Sequence, residues 1–283
     1  MNVHRLRLTD VELALYEREG APPTVLFLHA TGFHGRIWDQ VIERLGDVHT
    51  FALDQRGHGQ SETPTLPPEW HTFAGDVVAL GDHFSWTGIV GVGHSIGGHA
   101  LTAAAAARPG LFARLLLIDP VIMPEAYYVG ILEGEHFTAR RRKDWRSPDE
   151  MFERFRERAP FDRWDEAVLR DYVGHGLRPN TGGEGYVLAC DPAFEAASYN
   201  YGSAANIYPL LSSVHIPVTI LRAAGHADAS VNNFSASPTA PDLAGRFPNA
   251  RDVSLPEYSH FIPMEAPDRT AEFVREEINA VRS

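Results

Sequence analysis

Gly88-Ile89-Val90-Gly91-Val92-Gly93-His94-Ser95-Ile96-Gly97-Gly98-His99-Ala100 is the stretch whose reading decides the fold. Its first half is an unbroken run of apolar strand formers. Runs that do not alternate belong to strands covered on both faces, as in a parallel sheet between helix layers. Its second half leads into an alanine-rich helix, Ala100 to Ala107, which Arg108-Pro109-Gly110 stops. Between them, Gly93-His94-Ser95-Ile96-Gly97 fits G-x-S-x-G. A serine in that context sits on a sharp strand-to-helix turn, where bulky neighbours would clash. The helix N-terminus behind it offers free N–H groups and a positive dipole end, both suited to an oxyanion. Two other readings compete. One is a serine packed in a tight turn without function. The other is a dinucleotide loop opened by Gly91-x-Gly93, with Asp119 near the distance of a ribose ligand; that loop needs a third glycine where Ile96 stands.

Outward from this stretch, the same strand–helix rhythm recurs on both sides. Upstream come an opening hairpin in Arg5 to Glu17, a buried strand at Thr24 to Leu28, helical spacing from Ile37 to Leu45, a strand at Thr50 to Leu53 and a helix from Phe73 to Phe84. Downstream is a strand at Leu115 to Ile118, ending at Asp119-Pro120. The rhythm then breaks. From Val121 to Ala205 no buried-strand run appears, and the apolar stripes Phe152-Phe155 and Trp164-Val168-Leu169-Tyr172 read as helices. It resumes with a strand at Ile216 to Leu221, a helix near Asp242 to Phe247, a strand at Arg251 to Leu255 and a last helix from Pro267 to Val281. The expected organisation is an α/β core in two parts, 1–120 and 206–283, interrupted by a helical insertion over 121–205. Ser235 to Pro241 reads as a loop inside the core, not a linker.

Composition bounds the function. The chain has 283 residues, 25 Lys+Arg against 37 Asp+Glu, a net charge of −12 and one cysteine. One cysteine excludes an internal disulfide, and a negative balance argues against a nucleic-acid partner. Mean hydropathy is −0.22, with no apolar run long enough for a membrane helix and no signal-peptide pattern at the N-terminus. A cytoplasmic location is expected.

A serine hydroxyl needs a base, and the base needs an orienting carboxylate. His260 is the candidate base, because it follows the last core strand and precedes the last helix. Asp228, the first acid after the strand ending at Leu221-Arg222, is the candidate carboxylate, and Asp119 is the alternative. The oxyanion donors are expected to be the N–H groups of Ile96 and of Thr31, in the small-residue loop His29 to Gly35. His29 reads as a residue that fixes this loop. No cofactor is needed. No metal site is expected either: His94 and His99 are five apart and no H-E-x-x-H exists.

With these residues in place, the chain resembles the α/β-hydrolase superfamily, from about Leu6 to Ile278. Asp54-Gln55-Arg56-Gly57-His58-Gly59-Gln60-Ser61 is similar to the family's D-x-R-G-x-G-x-S turn, and Ser259 to Glu265 to its histidine loop. The order Ser95, Asp228, His260 is the one the family uses, and 121–205 falls where the family places its cap or lid. His29-Ala30 departs from the usual His-Gly, and Arg222-Ala223-Ala224-Gly225 from the usual glycine soon after that strand. A serine nucleophile, not an aspartate, argues against the epoxide-hydrolase and dehalogenase branches. The basic run from Arg140 to Arg146 is similar to that of bacterial lipase-like members. The resemblance implies a mostly parallel sheet flanked by helices, with an inserted helical cap, and acyl transfer on a small-molecule ester. Thioesters, carbon–carbon bonds or a non-catalytic ligand-binding role are the alternatives. Phe33, Trp38 and His94 near the serine, with Tyr127, Tyr128 and Trp145 in the insertion, are candidate pocket residues. The same basic run suits either a solvated surface or an acidic group on the substrate.

Overall fold

A computed structural model describes residues 1–65, 69–225 and 234–283. In chain order the elements are β1 (Asn2–Arg7), β2 (Glu12–Arg18), β3 (Val25–Leu28), α1 (Asp39–Arg44), β4 (Thr50–Asp54), α2 (Trp70–His83), β5 (Ile89–His94), α3 (Ile96–Ala107) and β6 (Phe112–Ile118). There follow β7 (Asp144–Trp145), α4 (Pro148–Phe155), α5 (Glu166–His175), β8 (Leu177–Pro179), β9 (Tyr186–Leu188), α6 (Pro192–Gly202) and α7 (Tyr208–Leu211). The chain closes with β10 (Val218–Ala223), β11 (Ala250–Leu255), α8 (Ile262–Glu265) and α9 (Pro267–Arg282).

Eight strands form one sheet in the order β1-β2-β4-β3-β5-β6-β10-β11. β1 and β2 pair antiparallel, as do β2 and β4, and the other neighbours run parallel. The alternation of side chains along each strand feeds two apolar layers. Val25 and Phe27 of β3 join Trp38, Val41 and Phe273 on one face, and Leu26 and Leu28 join Phe73, Val77, Leu101 and Ala104 on the other. Both faces are buried, which is why these strands are continuous apolar runs. The direction of sheet growth reverses between β3 and β5. Open parallel sheets form their crevices at the carboxyl ends of strands at such a switch point, and here it lies between the loop after β3 and the turn that carries Ser95.

The sequence predicts a helical insertion between β6 and β10, and the structure corrects this. β7, β9 and β8 form a three-stranded antiparallel sheet within it. Strands of two or three residues are too short to show an alternating pattern. Its helices start at side-chain caps: Ser147 accepts from Glu150 N–H ahead of Pro148, Asp165 from Ala167 and Val168, and Asp191 from Ala193 ahead of Pro192.

Polar contacts tie this segment to the core. Asp165 N–H donates to Met264 C=O at 2.8 Å, and Gln40 on α1 donates to Asp171 on α5 at 2.9 Å. Burial, with Asp39 and Glu43 nearby, pushes the Asp171 carboxyl up to about 6, against Gln40 and Arg36. Between pH about 4 and that value the native state holds a proton that the unfolded chain has lost, so stability falls as pH rises through this window. Asp171→Asn keeps the acceptor for Gln40 and removes the charge. It is expected to raise Tm at about pH 8 and leave it unchanged at about pH 4; thermal unfolding at the two pH values checks this.

Candidate active site

Ser95 lies between β5 and α3 with φ 58° and ψ −120°, a conformation that residues with side chains seldom adopt. The surrounding backbone imposes it. Ser95 N–H donates to Ile118 C=O at 3.1 Å, and Ser95 C=O accepts from Gly98 and Val121, both at 3.1 Å. A Cβ on Gly93 would stand 2.6 Å from the Gly97 carbonyl carbon, and one on Gly97 2.5 Å from the Leu28 carbonyl oxygen. Strand, helix and neighbouring strand approach too closely for anything but glycine at these two positions.

His260 Nε2 is 3.1 Å from Ser95 Oγ, and His260 Nδ1 is 2.6 Å from Asp119 Oδ2. All three residues are nearly enclosed, with 6%, 7% and 0% of the surface of Ser95, His260 and Asp119 accessible. The carboxylate bonded to His260 is therefore Asp119, the alternative acid of the sequence reading. Asp228 lies outside the described residues. Asp119 is itself held at φ 43° at the end of β6. Its Oδ1 accepts from Ala223 N–H at 3.0 Å, Ser237 Oγ at 2.6 Å and Thr239 Oγ1 at 3.3 Å. With one oxygen anchored three times, the other is left to face His260. Ser237 and Thr239 come from the Ser235–Pro241 stretch, whose density of small hydroxyl residues was the only sign of this task.

His260 is held at its backbone too. Its N–H donates to Ser235 C=O at 2.9 Å, and its C=O accepts from His94 Nε2 at 2.8 Å. Burial and the neighbouring His260 keep the His94 imidazole well below the usual histidine range, so it is neutral near pH 7. His94 thus acts on the position of His260.

Among the described residues, two backbone N–H groups that the sequence reading singled out are free of backbone acceptors. Ile96 is the first residue of α3, so its N–H has no intrahelical acceptor. Thr31 follows β3, and its N–H meets no acceptor among the described residues. His29 fixes this loop: its Nε2 accepts Gln55 N–H at 3.0 Å, and Gln55 Nε2 donates to His29 C=O at 2.7 Å.

Of the candidate pocket residues, His94 precedes the serine in the chain, and Phe33 stacks on its ring at 6.4 Å. Phe33 also meets Tyr172 edge-on at 5.3 Å, Trp164 at 5.7 Å and Phe261 at 6.1 Å. The other four belong elsewhere. Trp38 is fully buried against Phe27 in the core. Trp145 is buried against Phe155 inside the insertion. Tyr127 is exposed. Tyr128 accepts Met123 N–H and packs on Tyr208. Large rings go where volume must be filled, and spacing alone does not tell core from pocket. Rings that the sequence reading did not assign to the pocket, Trp164, Tyr172 and Phe261, surround Phe33 instead.

Among the described residues, Asp39, Asp171 and His175 have ligand atoms close enough for a metal ion. Arg36 is bonded to Asp39 and Gln40 to Asp171, so a cation there would compete with a guanidinium. Ser95 and His260 are not part of that group.

The fold and this site define a class. The model of the alpha/beta hydrolase family matches residues 25–273, and the chain belongs to that family. It is 37% identical over 118 residues to lipase LipV of Mycobacterium tuberculosis, covering 41% of this chain and 43% of that protein. It is 33% identical over 125 residues to 2-(acetamidomethylene)succinate hydrolase of Mesorhizobium japonicum, covering 43% and 45%. The matches thus span less than half the length of these relatives. The crystal structure of E-2-(acetamidomethylene)succinate hydrolase superposes with a TM-score of 0.78 at 22% identity, covering 98% of this chain and 99% of that one, a likeness of fold. No helix among the described residues is long and apolar enough to cross a membrane.

Proposed function

We propose that the chain is a serine hydrolase that cleaves a carboxylic ester through an acyl-enzyme. Ser95 is the nucleophile, His260 the general base and acid, and Asp119 the orienting carboxylate. The observation that carries this reading is the unbroken hydrogen-bonded line Ser95 Oγ, His260 Nε2, His260 Nδ1, Asp119 Oδ2, at the mouth of a helix N-terminus. His260 takes the Ser95 proton as Oγ attacks the carbonyl carbon. The tetrahedral oxyanion is held by the N–H groups of Ile96 and Thr31. His260 then protonates the departing alcohol, and water, activated by the same imidazole, releases the acid. The 121–205 segment serves as the cap over the acyl pocket. Membership of the family and the likeness to a lipase support hydrolysis of an ester.

A fluorophosphonate probe is expected to modify the protein once, at Ser95, with the adduct mapped by mass spectrometry. Ser95→Ala should not react. A folded wild-type protein that stays unlabelled would overturn the reading in favour of a ligand-binding member of the fold.

A further inference from the structure

We propose that Arg141 is the anion-binding residue of the Ser95 site, so that the ester cleaved there carries a free carboxylate. The inference rests on the hydrolase reading and deepens it. Within the basic run, Arg140 and Arg146 are exposed and pair with Glu135 and Glu150 at 3.5 and 3.4 Å. Arg142 and Lys143 pair with Glu150 and Asp191 near the surface. Arg141 alone turns inward. Its Nη1 binds Glu195 Oε2 and its Nη2 donates to the Tyr172 hydroxyl at 3.0 Å. A Cβ built on Gly32 would lie 2.7 Å from Glu195 Oε1 and 3.2 Å from Arg141 Nη1. The charged pair therefore rests on the residue next to Thr31, the oxyanion donor.

Three features make this a recognition site and not a structural ion pair. A buried pair seldom adds stability over apolar residues of the same size, because both charges lose water. The donors are not used up: among the described residues Arg141 Nε and the second hydrogen of each Nη meet no acceptor. The Tyr172 hydroxyl accepts from Arg141, which leaves its own proton to donate. A quarter of the Arg141 side chain remains accessible. A chain of contacts leads from these donors towards the serine. Tyr172 touches Phe33, and Phe33 stacks on His94, the residue before Ser95. The planar guanidinium with a phenol beside it matches a carboxylate in shape and donor count. The chain as a whole carries −12, so attraction for an anion has to be local. Glu195 holds the fork in place and sets a competing negative charge beside it.

The test compares 4-nitrophenyl hydrogen succinate with its methyl ester, which has the same acyl length and no charge. The ratio of their kcat/KM values should favour the anionic ester in the wild type. It should fall about 10- to 100-fold in the double variant Arg141→Met/Glu195→Gln, in keeping with loss of a hydrogen-bonded charge. That variant removes both charges together and so avoids burying one alone. Glu195→Gln by itself should raise the ratio. An unchanged ratio in the double variant, or a wild type that prefers the methyl ester, would overturn the proposal. Failure to turn over either ester, with no fluorophosphonate adduct, counts against the hydrolase reading instead. The subsite is then read by titration calorimetry with succinate. Binding to the wild type that is lost in the double variant supports it, and no binding to the wild type overturns it.

Discussion

Asp119→Asn is expected to lower kcat/KM for 4-nitrophenyl esters by about 10⁴-fold, by the tautomer effect seen when a serine-hydrolase aspartate becomes an amide. The hydrogen bonds around the residue dictate how. Ala223 N–H and the hydroxyls of Ser237 and Thr239 all donate to Oδ1, so the amide oxygen of the variant must take that place. The NH₂ group is then forced into the position of Oδ2 and points its hydrogen at His260 Nδ1. The imidazole has to present a lone pair there, its proton moves to Nε2, and Nε2 can no longer accept from Ser95. The fold should survive, since the shape and three of the four contacts are kept. Steady-state kinetics beside thermal unfolding measure both. Asp228→Asn is the companion experiment and is expected to retain more than about a tenth of the activity, because Asp119 already bonds His260 Nδ1 at 2.6 Å and a substitution away from such special contacts costs little. A large loss in Asp228→Asn beside an active Asp119→Asn would return the role to the acid after β10.

Ser95→Ala should be more damaging still. Loss of the nucleophile in serine hydrolases costs about 10⁶-fold in rate, or about 8 kcal/mol of transition-state stabilisation. What survives is the contribution of the Ile96 and Thr31 N–H groups and of substrate positioning. Because the three side chains act as a unit, adding Asp119→Asn to Ser95→Ala should cost almost nothing further, and measuring the double variant tests that coupling directly. Stability should move little. Alanine carries the same Cβ as serine at φ 58°, and among the described residues the only side-chain bond given up is the 3.1 Å contact with His260. A Ser95→Ala protein that hydrolyses esters at the wild-type rate would end the proposal.

How much of this was legible beforehand depended on how local the signal was. The turn at Ser95 was legible because strand, glycines and helix are contiguous, and the buried strands because a covered sheet leaves no polar alternation. The small sheet β7-β9-β8 was not, its strands being too short. The acid was ambiguous for a topological reason. β6 and β10 are neighbours with Ile118 level with Leu221, so the two strands end side by side, and strand position alone does not choose between the acids that follow them. Chain order Ser, Asp, His is satisfied by both. What separates them is the trio of donors around Asp119, all of which lie more than a hundred residues away in sequence. The inward turn of Arg141 was equally hidden. Five basic residues in seven positions look alike until Glu195, on a helix some fifty residues on, selects one of them.

The root of the insertion matters for anyone exchanging parts between members of this family. Val121 N–H donates to Ser95 C=O, and Ile122 C=O accepts from Ala240 N–H. Although the sheet strand ends at Ile118, residues 119–122 belong to the core in every energetic sense. A chimaera that imports a foreign segment should therefore splice beyond Ile122. A joint placed at the strand end would replace the carboxylate and the backbone donor that pins the serine turn, and the graft would be inactive whatever substrate its new pocket fitted.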